Sequence, residues 1–545
     1  MKKTLNHKIL VSVIFMTALV FAFSAAAYAC TGVYIGSDVS EDGTAIIARS
    51  EDSHPLYNPV KLEICNAQDS SGKEICQVQN DFSWTLPEKT HTYICTPGWD
   101  ACQQTDGRYS SYALNDKGLN ITATVTAYVC EAALKCDPYE DDGIAEESIP
   151  DIIGASCEDA RSAIELLAKI CDEKGSLESN IIMVADQSEA WYMEIYTGHQ
   201  YAAVKMPTDC VAAFGNEFML ESLEDFEETI TSPALISLPE EKGFAVYKDD
   251  GSLDLFSTYS GKDRLSDYAN LRTWYAHYLL SPSTAGQYDT LTKYPLFYEP
   301  DEKVGLSDIM QLYRSRFEGT KYDADKIDSD ESRVIGTETQ QTVHIIQIYP
   351  DMPQDRCTVA WTTVSQSECA PFLPVFSAMT GMDEAYTNDP GERCFDDSTA
   401  YSIFKELNML CETDREIYKP SVLKYWQEVE EELQCEVKSV MEKSAEMSSE
   451  EASEYLTSYG KKVQHAAFED AKVLIDDITL AMCENTDTLK SVFDYSTLTF
   501  SSKDKPDAAK ISLNEEDIVG KYTTDKSTQE EGKSNGHNVI GSVFC

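Results

Sequence analysis

The sequence predicts an α+β protein with a C-terminal helical extension, and three observations carry that expectation. Short β-branched runs recur from Thr31 to about Val364, amphipathic helices are interspersed among them, and from about Ser398 the pattern turns helical. The first strand-like run is Thr31 to Val39, followed by the turn residues Ser40-Glu41-Asp42-Gly43 and a returning run from Thr44 to Asp52. Further strands are expected at Gly118 to Val129, Asn180 to Ala185, Ala190 to Tyr196, Gln200 to Met206, Cys210 to Phe214, Thr342 to Ile348 and Thr358 to Val364. Helices are expected near Glu158 to Lys174, around Ser266 to Leu280 and after Ser307.

The ends of the chain read differently from its middle. Residues 1–29 carry Lys2, Lys3 and Lys8, an apolar stretch from Ile9 to about Phe23, and the small-residue ending Ala27-Tyr28-Ala29. That is the pattern of a signal peptide, so the mature protein is expected outside the cytoplasm, with membrane contact only for export. Residues 398–500 form the helical extension, with acidic stretches near Ser421 to Met447 and Ser449 to Cys483. Residues 501–545 are poor in large apolar groups, which predicts a tail without a packed core. The body between, residues 30–397, is expected to hold the chemistry.

Composition narrows the function. With 94 acidic against 44 basic residues and a net charge of −50, nucleic acid is not an expected partner. Seventeen cysteines in an exported chain predict disulfides for most of them. Cys65 with Cys76, Cys95 with Cys102 and Cys130 with Cys136 are close pairs, although spacing does not fix connectivity. The eight histidines show no i, i+4 pair and no His-Glu-x-x-His, and no Cys-x-x-Cys or glycine-rich phosphate loop occurs. No metal or cofactor is called for.

The chemistry is expected at Cys30. A cut after Ala29 makes it the first residue of the mature chain, where one residue supplies both a thiol and a free α-amine. An α-amine with a pKa near 7.7 can take the proton of a thiol near 8.5, so no histidine is needed. A hairpin turning between Glu41 and Asp42 sets Cys30 beside Ser53 and Asp52, with Arg49 three residues back on the same strand. Arg49 is then expected to favour the thiolate and Asp52 to anchor the α-amine. Two other roles stay open for Cys30. A disulfide partner leaves one cysteine over, and a lipidated cysteine fits poorly with Ala27 and Tyr28.

The run Ala29-Cys30-Thr31, then Asp42-Gly43-Thr44 and Ala48-Arg49-Ser50-Glu51-Asp52, resembles the start of the dipeptidase A family of cysteine peptidases, kin of the choloylglycine and penicillin V hydrolases. The resemblance continues through Leu114 to Leu119, Phe214-Gly215-Asn216, and Ile348 to Pro353 before Val359-Ala360-Trp361, and covers roughly residues 30–381. It implies the four-layer α-β-β-α sandwich of N-terminal-nucleophile hydrolases and hydrolysis of a dipeptide or small amide. Carried over by position, Cys30 is the nucleophile, Arg49 and Asp52 its electrostatic and orienting partners, Asn216 a donor to the oxyanion and Arg272 a second guanidinium. Val125 stands where the family pattern has an acidic residue, which removes a candidate partner for a substrate amino group. The alternatives are an amidase for a conjugated small molecule, of bile salt or penicillin type, and a lipid-anchored surface protein without catalysis. The oligomeric state is not legible in the sequence.

Overall fold

A computed structural model describes residues 30–52, 57–77, 80–98, 109–125, 127–262, 265–327, 333–388 and 394–484. The expected signal peptide, the tail 501–545, Ser53 and Cys102 lie outside the described residues.

Two antiparallel sheets stack face to face. One has seven strands in the order Phe297–Tyr298 (β14), Val211–Phe214 (β12), Thr31–Ile35 (β1), Ala45–Asp52 (β2), Gln340–Ile348 (β15), Thr358–Thr363 (β16) and Leu373–Phe376 (β17). The other has eight, in the order Thr229–Thr231 (β13), Tyr201–Lys205 (β11), Ala190–Ile195 (β10), Asn180–Ala185 (β9), Asn120–Val125 (β8), Ser110–Asn115 (β7), Tyr93–Pro97 (β6) and Glu63–Cys65 (β3). A small ribbon, Glu74–Cys76 (β4) with Ser83–Thr85 (β5), stands apart from both. The central strands meet across the sandwich: the Tyr112 ring lies 4.5 Å from that of His344, and the Tyr112 hydroxyl is 3.2 Å from Thr362 Oγ1.

The alternation of β9 shows why the strands have two buried faces. Ile181 and Met183 point into the core between the sheets, while Ile182 and Val184 point into a second core under the helices Ile149–Ser156 (α1) and Ala160–Lys174 (α2). Asp159 caps α2 by accepting from the Ser162 amide at 2.7 Å, so the helix opens there rather than nearer Ser156. The seven-stranded sheet is covered by Asp267–Leu280 (α3), which is buried around most of its circumference, and by Leu306–Arg314 (α4). Helix, sheet, sheet, helix is the layering the resemblance implies.

The C-terminal helices Ala400–Thr413 (α5), Arg415–Ala445 (α6) and Ser449–Glu484 (α7) share the hydrophobic core of the seven-stranded sheet. Leu407, Trp426, Leu433, Val463 and Ile478 belong to the same cluster as Val33, Ile47 and Trp361. The acidic character of these helices is therefore partly internal: Glu430 receives both Arg314 guanidinium nitrogens, at 2.7 and 2.6 Å, and Glu436 accepts from the Tyr459 hydroxyl at 2.8 Å. Trp426→Ala is expected to destabilise the whole protein by about 3–5 kcal/mol in a single cooperative transition, read by denaturant unfolding.

No disulfide joins two of the described cysteines. Cys130 caps the short helix Glu131–Cys136 that Cys136 ends, so the two lie roughly 9 Å apart along its axis, beyond disulfide reach. Cys65 instead approaches Cys95 on the neighbouring strand, with their sulfurs 3.9 Å apart.

Candidate active site

Strand pairing places the site at the head of β1. In the β1–β2 ladder the paired numbers add to 81, as for Thr31 with Ser50 and Gly32 with Arg49. The hairpin turn expected between Glu41 and Asp42 would have made them add to roughly 83. The loop is wider than a tight turn: the amides of Val39 and Ser40 fold back onto the Gly36 carbonyl, and Gly43 takes a positive φ of 77°. The register therefore sets Glu51, and not Asp52 or Ser53, level with Cys30. Gly32 is required because a Cβ there would fall 2.3 Å from the Phe214 ring.

Cys30 is buried with 1% exposure. Arg49 Nη1 donates to its Sγ at 3.1 Å. The same guanidinium is held by Thr122 Oγ1 at 2.8 Å and the Ser111 carbonyl at 2.7 Å, which fixes its plane between the sheets. Two carboxylates complete its shell, Glu51 Oε2 at 2.8 Å and Glu146 Oε1 at 2.9 Å. Burial pushes the Cys30 thiol well above its ordinary value; Glu51 adds to that and Arg49 opposes it. His344 pairs with Arg49 across β15, but burial holds it neutral and its Nε2 meets Thr122 Oγ1, not the thiol.

The backbone of the nucleophile is gripped from the other side. Arg272, fully buried on α3, donates from Nη1 to the Cys30 carbonyl and to Thr31 Oγ1 at 3.1 Å, and from Nη2 to Asn216 Oδ1 at 2.8 Å. Burial and the nearby Arg333 lower its pKa to about 10, so it stays a cation at neutral pH. By taking the amide oxygen of Asn216, Arg272 turns the carboxamide so that its NH2 is the donor side. Gly215 is needed beside it, since a Cβ would meet the Ala269 carbonyl at 2.8 Å and Arg272 Nη2 at 3.1 Å. Thr273 Oγ1 accepts from the Gly215 amide at 3.2 Å and donates to the buried Glu217 at 2.7 Å, which holds the turn that carries Asn216.

Asp52 is 1% exposed. Its Oδ2 receives Arg333 and, at 3.2 Å, the Ser50 hydroxyl, which itself accepts from the Thr31 amide at 3.2 Å. Its Oδ1 is buried without a hydrogen-bond partner. Burial raises the Asp52 pKa to about 6 against the pull of Arg333 and Arg272.

The structure thus brings Cys30, Arg49, Asp52, Asn216 and Arg272 into one connected set. Sequence reasoning missed Glu51, Glu146, Arg333 and Thr122. Only Glu51 left a signal, sitting inside the motif Ala48–Asp52. A cavity of about 880 Å³ lies elsewhere, lined by Tyr275, Arg314, Arg316, Glu338, Arg415 and Lys419, and includes none of the five. Its charges are matched internally, with Arg316 2.7 Å from Asp325 and Arg415 3.0 Å from Glu368.

A face-to-face β-sandwich lies under helices, with a buried cysteine at the head of a central strand and a guanidinium on its sulfur. The chain belongs to peptidase family C69, which matches residues 29–428, and it is a peptidase. It is 30% identical over 423 residues to a probable dipeptidase B of Streptococcus pyogenes serotype M1, covering 74% of this chain and 83% of that one. A probable dipeptidase of Latilactobacillus sakei is 27% identical, covering 73% and 84%, and one of Salmonella dublin is 29% identical, covering 64% and 81%. Among solved structures, a mutant of conjugated bile acid hydrolase from Clostridium perfringens aligns at TM-score 0.30 and 11% identity over 62% of this chain and 89% of that one. Penicillin V acylase from Agrobacterium tumefaciens aligns at TM-score 0.30 and 10% identity over 65% and 87%.

Proposed function

We propose that this peptidase is an exported cysteine dipeptidase that works through an acyl-enzyme on Cys30 once residues 1–29 are removed. The observation that carries the reading is the double grip on Cys30, Arg49 on its sulfur and Arg272 on its carbonyl, beside a buried Asp52 oxygen with no hydrogen-bond partner. A buried unpaired carboxylate oxygen is costly, and the α-amine of a mature N-terminus, which becomes an ammonium on taking the thiol proton, is the group that would satisfy it.

In the proposed reaction the α-amine takes the thiol proton, Arg49 supports the thiolate, and Sγ bonds to the substrate carbonyl carbon. The resulting oxyanion accepts from the Asn216 carboxamide. The α-ammonium returns its proton to the leaving amine as the C–N bond breaks, and water then releases the acyl group and restores the thiol.

Two measurements test this. Intact mass and N-terminal sequencing of the exported protein are expected to give a chain beginning at Cys30 that a thiol-directed alkylating agent modifies with loss of dipeptide cleavage. A terminus that is acylated, or still preceded by part of residues 1–29, would overturn the reading. Separately, Asn216→Ala is expected to lower kcat by about 10²–10³-fold with little change in KM, because its donor acts on charge that exists only in the transition state.

A further inference from the structure

The chain leaves the seven-stranded sheet at the end of β12, and the loop from Gly215 to Leu220 that follows is anchored from two sides. Helix α3 holds its first half: Arg272 meets the Asn216 amide oxygen, and Thr273 meets the Gly215 amide and the Glu217 carboxylate. Its second half is held from the opposite sheet. Glu194 Oε1, on β10, accepts from the Met219 amide at 2.5 Å, the Leu220 amide at 3.2 Å and the Tyr192 hydroxyl at 2.7 Å. Glu194 is fully buried and stands opposite Ile181, on the face that points into the core between the sheets. Two rings of that face seat the loop: Tyr192 lies 5.3 Å from Phe214 and Tyr196 4.8 Å from Phe218. A carboxyl among such neighbours is costly, and burial raises its pKa against the pull of the Met219 amide and the Tyr192 hydroxyl. What offsets the cost is two adjacent backbone amides that leave a strand for the core and need an acceptor there.

We propose that Glu194 is a positioning residue for the oxyanion donor: by accepting from the Met219 and Leu220 amides it fixes where the Asn216 carboxamide stands. The inference rests on the reading of Asn216 as that donor. Arg272 and Thr273 set which side of the carboxamide faces out, but both belong to α3, and a loop tied to one helix can pivot about it. The bonds to Glu194 stop the pivot by tying the same loop to the facing sheet. The tolerance is narrow. A donor to an oxyanion has to stand about 2.7–3.1 Å from the oxygen on which charge develops, and a displacement of about 1 Å at a reacting group can cost about 10²-fold in rate. Because Glu194 bonds the loop, its effect on the reaction passes through Asn216. What the position requires is an acceptor oxygen, which a glutamine also carries and an apolar side chain does not.

The test uses the mature enzyme and a dipeptide substrate in a double-mutant cycle of Glu194→Leu with Asn216→Ala. Glu194→Leu alone is expected to lower kcat by about 10–100-fold while KM stays within about threefold of wild type. In the Asn216→Ala background the same change is expected to cost no more than about threefold further, because a donor that is absent cannot be misplaced. Glu194→Gln is expected to restore most of the rate. Losses that add in the cycle, or a glutamine variant as slow as the leucine one, overturn the inference and leave Glu194 a support of the fold at large. Should Glu194→Leu not fold, hydrogen exchange of the wild type decides. The Met219 and Leu220 amides are expected to exchange as slowly as those of the central strands, and exchange at the rate of an exposed loop shows that Glu194 does not hold them. An Asn216→Ala enzyme as fast as the wild type instead sinks the reading of Asn216 as the oxyanion donor, whichever way Glu194 behaves.

Discussion

Cys30→Ala is expected to lower kcat/KM for dipeptide cleavage by about 10⁵-fold or more while leaving the fold in place. Removing a covalent nucleophile from a preorganised site costs on that scale, because binding and oxyanion donors alone retain only a small residue of catalysis. The structural cost is small by comparison: the thiol is buried and its loss opens a minor cavity, worth about 1 kcal/mol. Burial and both glutamates hold the sulfur protonated, so alanine removes no charge from the core. Cys30→Ser is the sharper control, since it keeps the α-amine, the Arg272 grip on the carbonyl and nearly the same volume. A hydroxyl is far too weak an acid for an α-amine near pKa 7.7 to deprotonate, and about 10²–10⁴-fold loss is expected, partly recoverable at high pH. The two variants are compared with wild type by steady-state kinetics and by thermal unfolding. Activity of Cys30→Ala within about 100-fold of wild type would place the nucleophile elsewhere.

The parts of this site that were legible in the sequence are those fixed by local pattern. The run Asn180 to Ala185 is a strand over those same residues, because its uninterrupted apolar character suits a strand buried on both faces. Ser266 stands at the N-cap of α3, as the boundary there suggests. Arg49 and Asp52 could be placed near Cys30 because one hairpin carries all three. The two-residue error in its register came from the loop, where Val39 and Ser40 fold back onto Gly36 and the Thr208 carbonyl, far away in sequence, accepts from the Asp38 amide. That error alone hid Glu51. Glu146 was hidden for a different reason: it arrives from a 3-10 turn, Glu146–Ser148, on the opposite sheet's side of the sandwich, and no spacing along the chain links it to Arg49. The same holds for the helices α5 to α7, whose acidic surfaces read as an appendage until Arg314 is seen to meet Glu430 inside the core.

Arg49 carries the second large effect, and it acts on stability as much as on rate. Arg49→Leu removes donors from Cys30 Sγ, Thr122, Glu146 and the Ser111 carbonyl, and takes the Arg49 charge away from the buried Glu51 and Glu146. Breaking a buried ion cluster from one side costs about 3–5 kcal/mol, well above the net worth of the pair, because the abandoned charges stay desolvated. The deficit is measured by urea unfolding of the variant against wild type, and a loss under about 1 kcal/mol would mean that the cluster contributes little to the fold. Arg49→Lys separates charge from geometry: one ammonium restores the counter-charge and part of the stability. It has no planar fork with which to meet two carboxylates, a sulfur and a carbonyl together, so activity is expected to stay down by about 10²-fold or more.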